Sequence, residues 1–343
     1  MNAEGLVEVV LPGKVEPEGL RIRHGAVPTP GPGQVLIRME ATGVSFAEQQ
    51  MRRGRYYDQP PFPFVPGYDL VGTVLTTGDG VEPGLAGTRV AALLKVGGWA
   101  SHVLVDAADV VPVPAGIDAA EAETLVLNGI TAWQMLHRKA RVREGGTVVV
   151  HGANGGVGSV LVQLARAAGM RVIGTASTRH HDALRQQGVT PVDYRAAHLA
   201  ARIRELAPGG VDAVFDHVGG RGIVDSWRLL APGGTLVSYG TASTRDDEGS
   251  KQWPVLKLLG RLWVWNALPN RRRAYFFNVW AGRALAKNRF RARLRTDLTE
   301  VFAALQRGDV TPRIAARLPL ADVADAVRLA ESGTVAGKVV LHP

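Results

Sequence analysis

The chain has 343 residues, 46% hydrophobic and 21% charged, which is the texture of a globular protein and excludes wholesale disorder and coiled coil. Its length suggests about two domains, and the absence of cysteine excludes disulfides, iron–sulfur clusters and every cysteine-ligated zinc site. The formal charge is +9, but the excess is local: residues 251–295 hold twelve Lys/Arg and no acid, while the rest carries 28 basic and 31 acidic residues. A general nucleic-acid-binding surface is disfavoured accordingly.

The first residues lack the basic start and apolar core of a signal peptide. No apolar run reaches the about 18 residues a membrane span needs, so a cytoplasmic location is expected. Residues 1–115 read as β-rich, with strand-like runs at 34–41, 70–75 and 89–94, Pro/Gly clusters at 27–33 and 60–67 between them, and 110–114 closing the region. Asp118 opens a helix with acid in its first turn, and a second helix-like stretch runs from Thr131 to Lys139. Strands then alternate with helices: strand 147–151, helix 157–168, strand 171–175, helix 180–187, a short strand within 188–194, and strands 211–216 and 234–239. That alternation predicts right-handed βαβ units and a parallel sheet, an α/β fold. The segment 251–295 is basic and aromatic and holds four of the seven tryptophans. The tail predicts a helix at 297–306, a strand near Ile314, a helix at 321–332 and a last strand at 338–341.

The strongest local signal is the glycine-rich stretch after strand 147–151, where Ala153, Asn154, Gly155, Gly156, Val157 and Gly158 lead into a helix. Ala153 stands where the dinucleotide fingerprint has its first glycine. Gly155 lets a pyrophosphate approach the backbone, Gly158 lets the helix pack on the strand, and the helix N-terminus offers its N–H groups to phosphate. A tight turn without a ligand is the alternative reading. An NAD site places an acid at the end of the second strand. Here that end reads Gly174 to Arg179 without one, and Ser177 and Arg179 suit a 2′-phosphate, so NADPH is the expected cofactor.

With these residues in view the chain resembles the medium-chain dehydrogenase/reductase superfamily, its zinc-free quinone oxidoreductase branch. The likeness rests on Gly31–Glu48, Pro63–Val74, Asn128–Trp133, His151–Gly169, Val214–Gly220 and Gly337–Leu341, in the family's order. It implies a GroES-like β-rich catalytic domain (1–123 and 285–343) and a Rossmann doubly wound parallel-sheet NADPH-binding domain (124–284), with the active cleft between them. It further implies a homodimer joined at the Rossmann sheet edge, with the strand at Tyr275–Trp280. Zinc-dependent relatives have a cysteine where Ser45 lies and a His-Glu pair where Tyr68 and Asp69 lie, so no metal is expected. Tyr194 matches a phosphate-contacting tyrosine, and Val218 falls in the loop beside the cofactor. A lysine that meets the 2′-phosphate in the family is replaced by His181.

The resemblance implies hydride transfer from NADPH to a small-molecule acceptor: a quinone, or alternatively the activated C=C of an enone or 2-alkenal, as in enoyl reductases. A non-catalytic NADPH-binding protein is a third reading. Thr131, Ser238, Tyr239 and Gly240 would hold the nicotinamide end. Tyr56, in the family's R-x-G-x-Y stretch, is the candidate to bind the substrate oxygen or donate a proton, with a merely lining role as the alternative. Ser45 is the second catalytic candidate, and Ser45 and Glu48 are expected to position their loop. The stretch 253–268 reads as a subunit-interface helix, or as an amphipathic lid with weak membrane-surface contact. Arg271–Arg273 and the arginines from Arg289 to Arg295 read as solvated faces, with no specific nucleic acid as partner.

Overall fold

A computed structural model describes residues 5–56, 58–220, 222–240 and 253–343. Its first strands, β1 (Leu6–Val10) and β2 (Arg21–Gly25), form an antiparallel pair. In β3 (Gln34–Val44), Val35, Ile37, Met39 and Ala41 recur at every second position and are buried, as the period of a pleated strand requires. After β3 come α1 (Phe46–Arg52), β4 (Asp69–Thr77), β5 (Arg89–Leu93), β6 (His102–Asp106) and β7 (Val110–Pro112).

Helix α2 (Ala119–Trp133) departs from the two helices expected there. It runs on as one helix and continues as a π-helical segment, Gln134–Ala140, closed by Arg141 at φ 52°. Gly129 would tolerate a break, but Leu125, Val126, Ile130 and Ala132 are all buried, and packing carries the helix through.

The alternating region then gives β8 (Thr147–His151), α3 (Gly156–Ala167), β9 (Arg171–Ala176), α4 (His181–Gln186), β10 (Thr190–Asp193), α5 (Leu199–Leu206), β11 (Val211–Asp216), α6 (Ile223–Leu229) and β12 (Leu230–Ser238). Helix α7 (Trp253–Ala267) and β13 (Arg273–Phe276) follow. The last elements are α8 (Lys287–Gln306), β14 (Ile314–Pro319), α9 (Val323–Glu331) and β15 (Lys338–His342).

The chain forms two compact units, one with the described residues up to Asn128 plus Leu285–Gln306 and Pro312–Pro343, the other with Gly129–Ala284 and Arg307–Thr311. The first carries the sheet β14-β15-β3-β4-β5-β7, with β6 on β3, around a core that includes Val35, Ile37, Leu70, Val90, Trp99 and Val327. The second carries the six-stranded sheet β10-β9-β8-β11-β12-β13, with all its pairs parallel. Its order reverses at β8 and β11, so the carboxyl ends of these two strands form a topological switch point, where open α/β sheets bind ligands.

Two further elements differ from expectation. The last strand of the parallel sheet lies at Arg273–Phe276, not Tyr275–Trp280, because Asn278 ends it by accepting a bond from the Trp280 N–H. Helix α8 starts ten residues earlier than the expected 297 and takes the arginine run onto it. Arg291 there is not a solvated face: it forms ion pairs to Asp106 at 2.6 Å and Asp109 at 2.7 Å.

Candidate active site

At the switch point every residue of β8 is buried, and the chain leaves it through Gly152 at φ +67°, a conformation that favours glycine. The demand for glycine in this turn thus falls on Gly152. Ala153 is buried, its N–H bonded to the Thr175 carbonyl at 3.0 Å. Gly155 is the N-cap of α3 and has no side chain to cap it, so the first N–H groups of the helix, Gly156 to Gly158, have no capping side chain. A Cβ on Gly158 would lie 2.1 Å from the Gly152 oxygen, so only glycine brings α3 this close to the turn. The turn is a half-exposed cradle of backbone donors at the positive end of a helix dipole, and it fits a dinucleotide pyrophosphate.

The neighbouring strand ends supply the rest of this edge. Asp216 closes β11; its Oδ1 accepts the N–H groups of Val218 and Gly219 at 2.8 and 2.9 Å, and its Oδ2 accepts from Ser226 at 2.7 Å. Ser238, at the end of β12, is buried, and its hydroxyl has no hydrogen-bond partner among the described residues. Tyr239 follows, stacked obliquely on His217; burial and the Asp216 charge push its hydroxyl above the ordinary phenol range. Burial also lowers the pKa of His151, which bonds Thr175 and Ser226 through its two ring nitrogens. Ser177 and Arg179 follow β9 and Tyr194 follows β10, whose N–H reaches the Ala176 carbonyl at 3.3 Å. The stretch Gly174 to Arg179 that ends β9 contains no acid, Asp193 of β10 lies opposite Ala176, and Tyr194 is 50% exposed. His181 occupies the first turn of α4 with Nε2 on the Ala176 carbonyl. Ala153 to Gly158, Ser177, Arg179, Tyr194, Val218 and Ser238 to Gly240 therefore share one edge of one sheet. Thr131 is buried in α2.

The other unit carries Ser45 and Tyr56. Ser45 caps α1: its Oγ accepts from the Ala47 N–H, and its N–H donates to Glu48 Oε2 at 2.8 Å in a capping box. Glu48 is buried, and desolvation raises its pKa while the bond from the Ser45 hydroxyl opposes the rise. Its other oxygen accepts the Tyr68 N–H at 2.7 Å. The Tyr68 ring is 3% exposed, and its hydroxyl pairs with that of Tyr56 at 2.7 Å. The sequence pattern did not show this pairing, because Tyr68 looked only like the replacement of a metal ligand. Asp69 turns inward, its Oδ2 accepting from Lys338 Nζ at 2.7 Å and the Leu127 N–H at 3.0 Å. Lys338 also bonds Glu123 at 2.5 Å. Ser45 and Asp69 are thus committed to protein hydrogen bonds, and among the described residues no three His, Cys, Asp or Glu side chains gather as a metal site.

A parallel sheet with a glycine cradle at its switch point, in a chain that also carries a GroES-like β-rich unit, defines a dinucleotide-dependent oxidoreductase. Two family models match the chain: the alcohol dehydrogenase GroES-like domain over residues 31–115 and zinc-binding dehydrogenase over 187–341. The human synaptic vesicle membrane protein VAT-1 homolog is 35% identical over 338 residues, covering 94% of this chain and 82% of that one. A mycobacterial protein solved in complex with NADPH superposes with a TM-score of 0.83 at 29% identity, covering 98% of this chain and 100% of its own. A Pseudomonas syringae quinone oxidoreductase superposes at 0.84 with 26% identity and the same coverage. The chain belongs to the medium-chain dehydrogenase/reductase superfamily, in its quinone oxidoreductase-like branch, and is an oxidoreductase.

Proposed function

We propose that the protein reduces quinones with NADPH. The observation that carries this reading is the uncapped glycine turn at the switch point, flanked by a β9 end with Ser177 and Arg179 and no acid. Backbone N–H groups from Gly156 to Gly158 hold the pyrophosphate, and Ser177, Arg179 and Tyr194 hold the 2′-phosphate. Thr131, Val218 and Ser238 to Gly240 hold the nicotinamide end. The cofactor, when bound, supplies the hydride. The protein orients the acceptor, keeps water away and donates the proton from Tyr56 to the acceptor oxygen. The solved relatives with NADPH and with quinone oxidoreductase activity in their names support this assignment. Quinones are electron-poor and need no Lewis acid, which suits a site whose Ser45 and Asp69 face other protein groups. The reading includes a homodimer paired through the edge strand β13.

Two measurements test it. Cofactor fluorescence should show NADPH binding at least tenfold tighter than NADH, with Arg179→Ala losing about tenfold for NADPH only. NADPH oxidation, followed with a simple quinone and a 2-alkenal in parallel, should be quinone-led. Alkenal-led turnover makes the protein an enone reductase, and equal affinity for the two cofactors overturns the 2′-phosphate assignment.

A further inference from the structure

We propose that Tyr68 is the positioning residue of Tyr56, holding the oxygen from which Tyr56 gives its proton. This rests on the donor role assigned to Tyr56 above and goes beyond it by naming the group that makes that role feasible. The two hydroxyls lie 2.7 Å apart, and the rings meet edge to face at 6.1 Å and 83°. Tyr68 is buried, and its backbone N–H is fixed by Glu48 Oε1 at 2.7 Å, itself locked by the capping box of α1. The Tyr68 hydroxyl therefore cannot swing freely. Tyr56 is more accessible, on the stretch that follows α1.

Chemistry sets the direction of the bond during turnover. A phenol that must give away its own proton needs a donor on its oxygen, since the departing proton leaves a phenolate behind. Tyr68 is that donor. Hydride addition to a quinone leaves a hydroquinone anion; its oxygen takes the Tyr56 proton as the Tyr56 O–H bond breaks. The Tyr56 phenolate keeps the bond from Tyr68 until solvent returns a proton. Two electrons arrive with the hydride and one proton from Tyr56, which completes the hydroquinone. A bond that strengthens as charge develops acts on kcat rather than on KM.

The pair also has a signature without turnover. Two hydroxyls sharing one hydrogen bond titrate as a unit, the first phenolate forming at lower pH than either phenol alone and the second at higher pH. Ultraviolet titration of phenolate, read as the difference between the unsubstituted protein and Tyr56→Phe, reports the first step. Tyr68→Phe keeps the ring and removes only the donor. The expected result is a first phenolate step at higher pH in Tyr68→Phe, the alkaline fall of kcat moving up with it, kcat down about ten- to hundredfold and KM within about twofold. An unmoved phenolate step, or an unchanged kcat, overturns the proposal. If Tyr68→Phe does not fold, Tyr56→Phe serves. There Tyr68 titrates alone and must form phenolate above the first step of the unsubstituted protein. Should no quinone turn over, the functional reading fails and the phenolate titration alone decides the pair.

Discussion

Gly155 and Gly158 sit three residues apart in one turn, yet the structure asks different things of them. A Cβ on Gly158 would meet the Gly152 oxygen at 2.1 Å and the Ala153 Cα at 3.1 Å, both backbone. A Cβ on Gly155 meets only the Gly152 oxygen, at 3.3 Å, and Gly155 has an ordinary extended conformation at φ −75°. Gly158→Ala should therefore destabilise the protein by about 1–3 kcal/mol through overpacking, besides weakening NADPH. Gly155→Ala should stay within about 0.5 kcal/mol in stability, yet lose about tenfold or more in NADPH affinity because the methyl stands where a phosphate approaches. Urea unfolding and fluorescence titration on both variants separate fold from cradle; equal stability losses would mean that Gly155 is structural too. The spacing of these glycines was legible in the sequence, because a turn of this kind has few solutions. The Tyr56–Tyr68 pair was not, because the two residues stand twelve positions apart in the sequence and only the fold joins them.

Among the elements, β15 depends most on one ionic group. Lys338 at its start is buried with Asp69 of β4 and Glu123 of α2, so one ammonium ties the C-terminal strand to two others. Desolvation alone would lower its pKa; the two carboxylates prevail and raise it above the ordinary lysine range. Among the described residues Asp69 Oδ1 and Glu123 Oε2 find no hydrogen-bond partner, and desolvation drives the Glu123 carboxyl well up. A proton on Glu123, donated to Asp69, would account for both facts. Glu123→Gln, with an amide donor in place of the acid, should then change stability by less than about 1 kcal/mol. Lys338→Met leaves a buried carboxylate unpaired and should cost about 3–5 kcal/mol. Chemical denaturation checks the pair of variants, and a Glu123→Gln protein as weak as Lys338→Met would show Glu123 to be ionised. Element limits were less legible than element types. The start of α8 was missed because Lys287 to Arg295 reads as a polar run, yet Phe290 and Leu294 are buried in it and Asp106 and Asp109 hold its Arg291. Likewise β6 and α5 went unread because they are short, five and eight residues.

At the scale of the whole molecule the βαβ alternation was readable, since apolar runs separated by helical stretches predict a parallel sheet. The pH response of the folded chain was not, because it depends on which titratable groups the fold hides. His151 is buried at the end of β8, and burial lowers its pKa below the ordinary 6.5 despite the nearby Asp216. The unfolded chain therefore takes up a proton on this residue at a pH where the native one does not, so its contribution to stability is present at neutral pH and falls as pH drops below about 6.5. Glu48 and Glu123 work the other way over the same range. Their pKa values are raised by burial, so the native state binds the extra protons and gains stability as pH falls towards 4.5. Asp106, held down first by its bond from Lys287, loses its contribution only below the ordinary 3.8. The raw stability curve of the protein is thus a sum of opposed slopes, and a flat curve would say nothing about His151. The difference between two proteins does: in His151→Gln the carboxyl contributions are unchanged and cancel, while the amide keeps a partner for Thr175 or Ser226. Urea midpoints, followed by the fluorescence of the stacked Trp227 and Trp265, should fall for the unsubstituted protein relative to His151→Gln between pH 7.5 and pH 5.5. Parallel midpoints across that range would mean that His151 takes its proton in the folded state as readily as in the unfolded one, and that the site at the end of β8 is open to water.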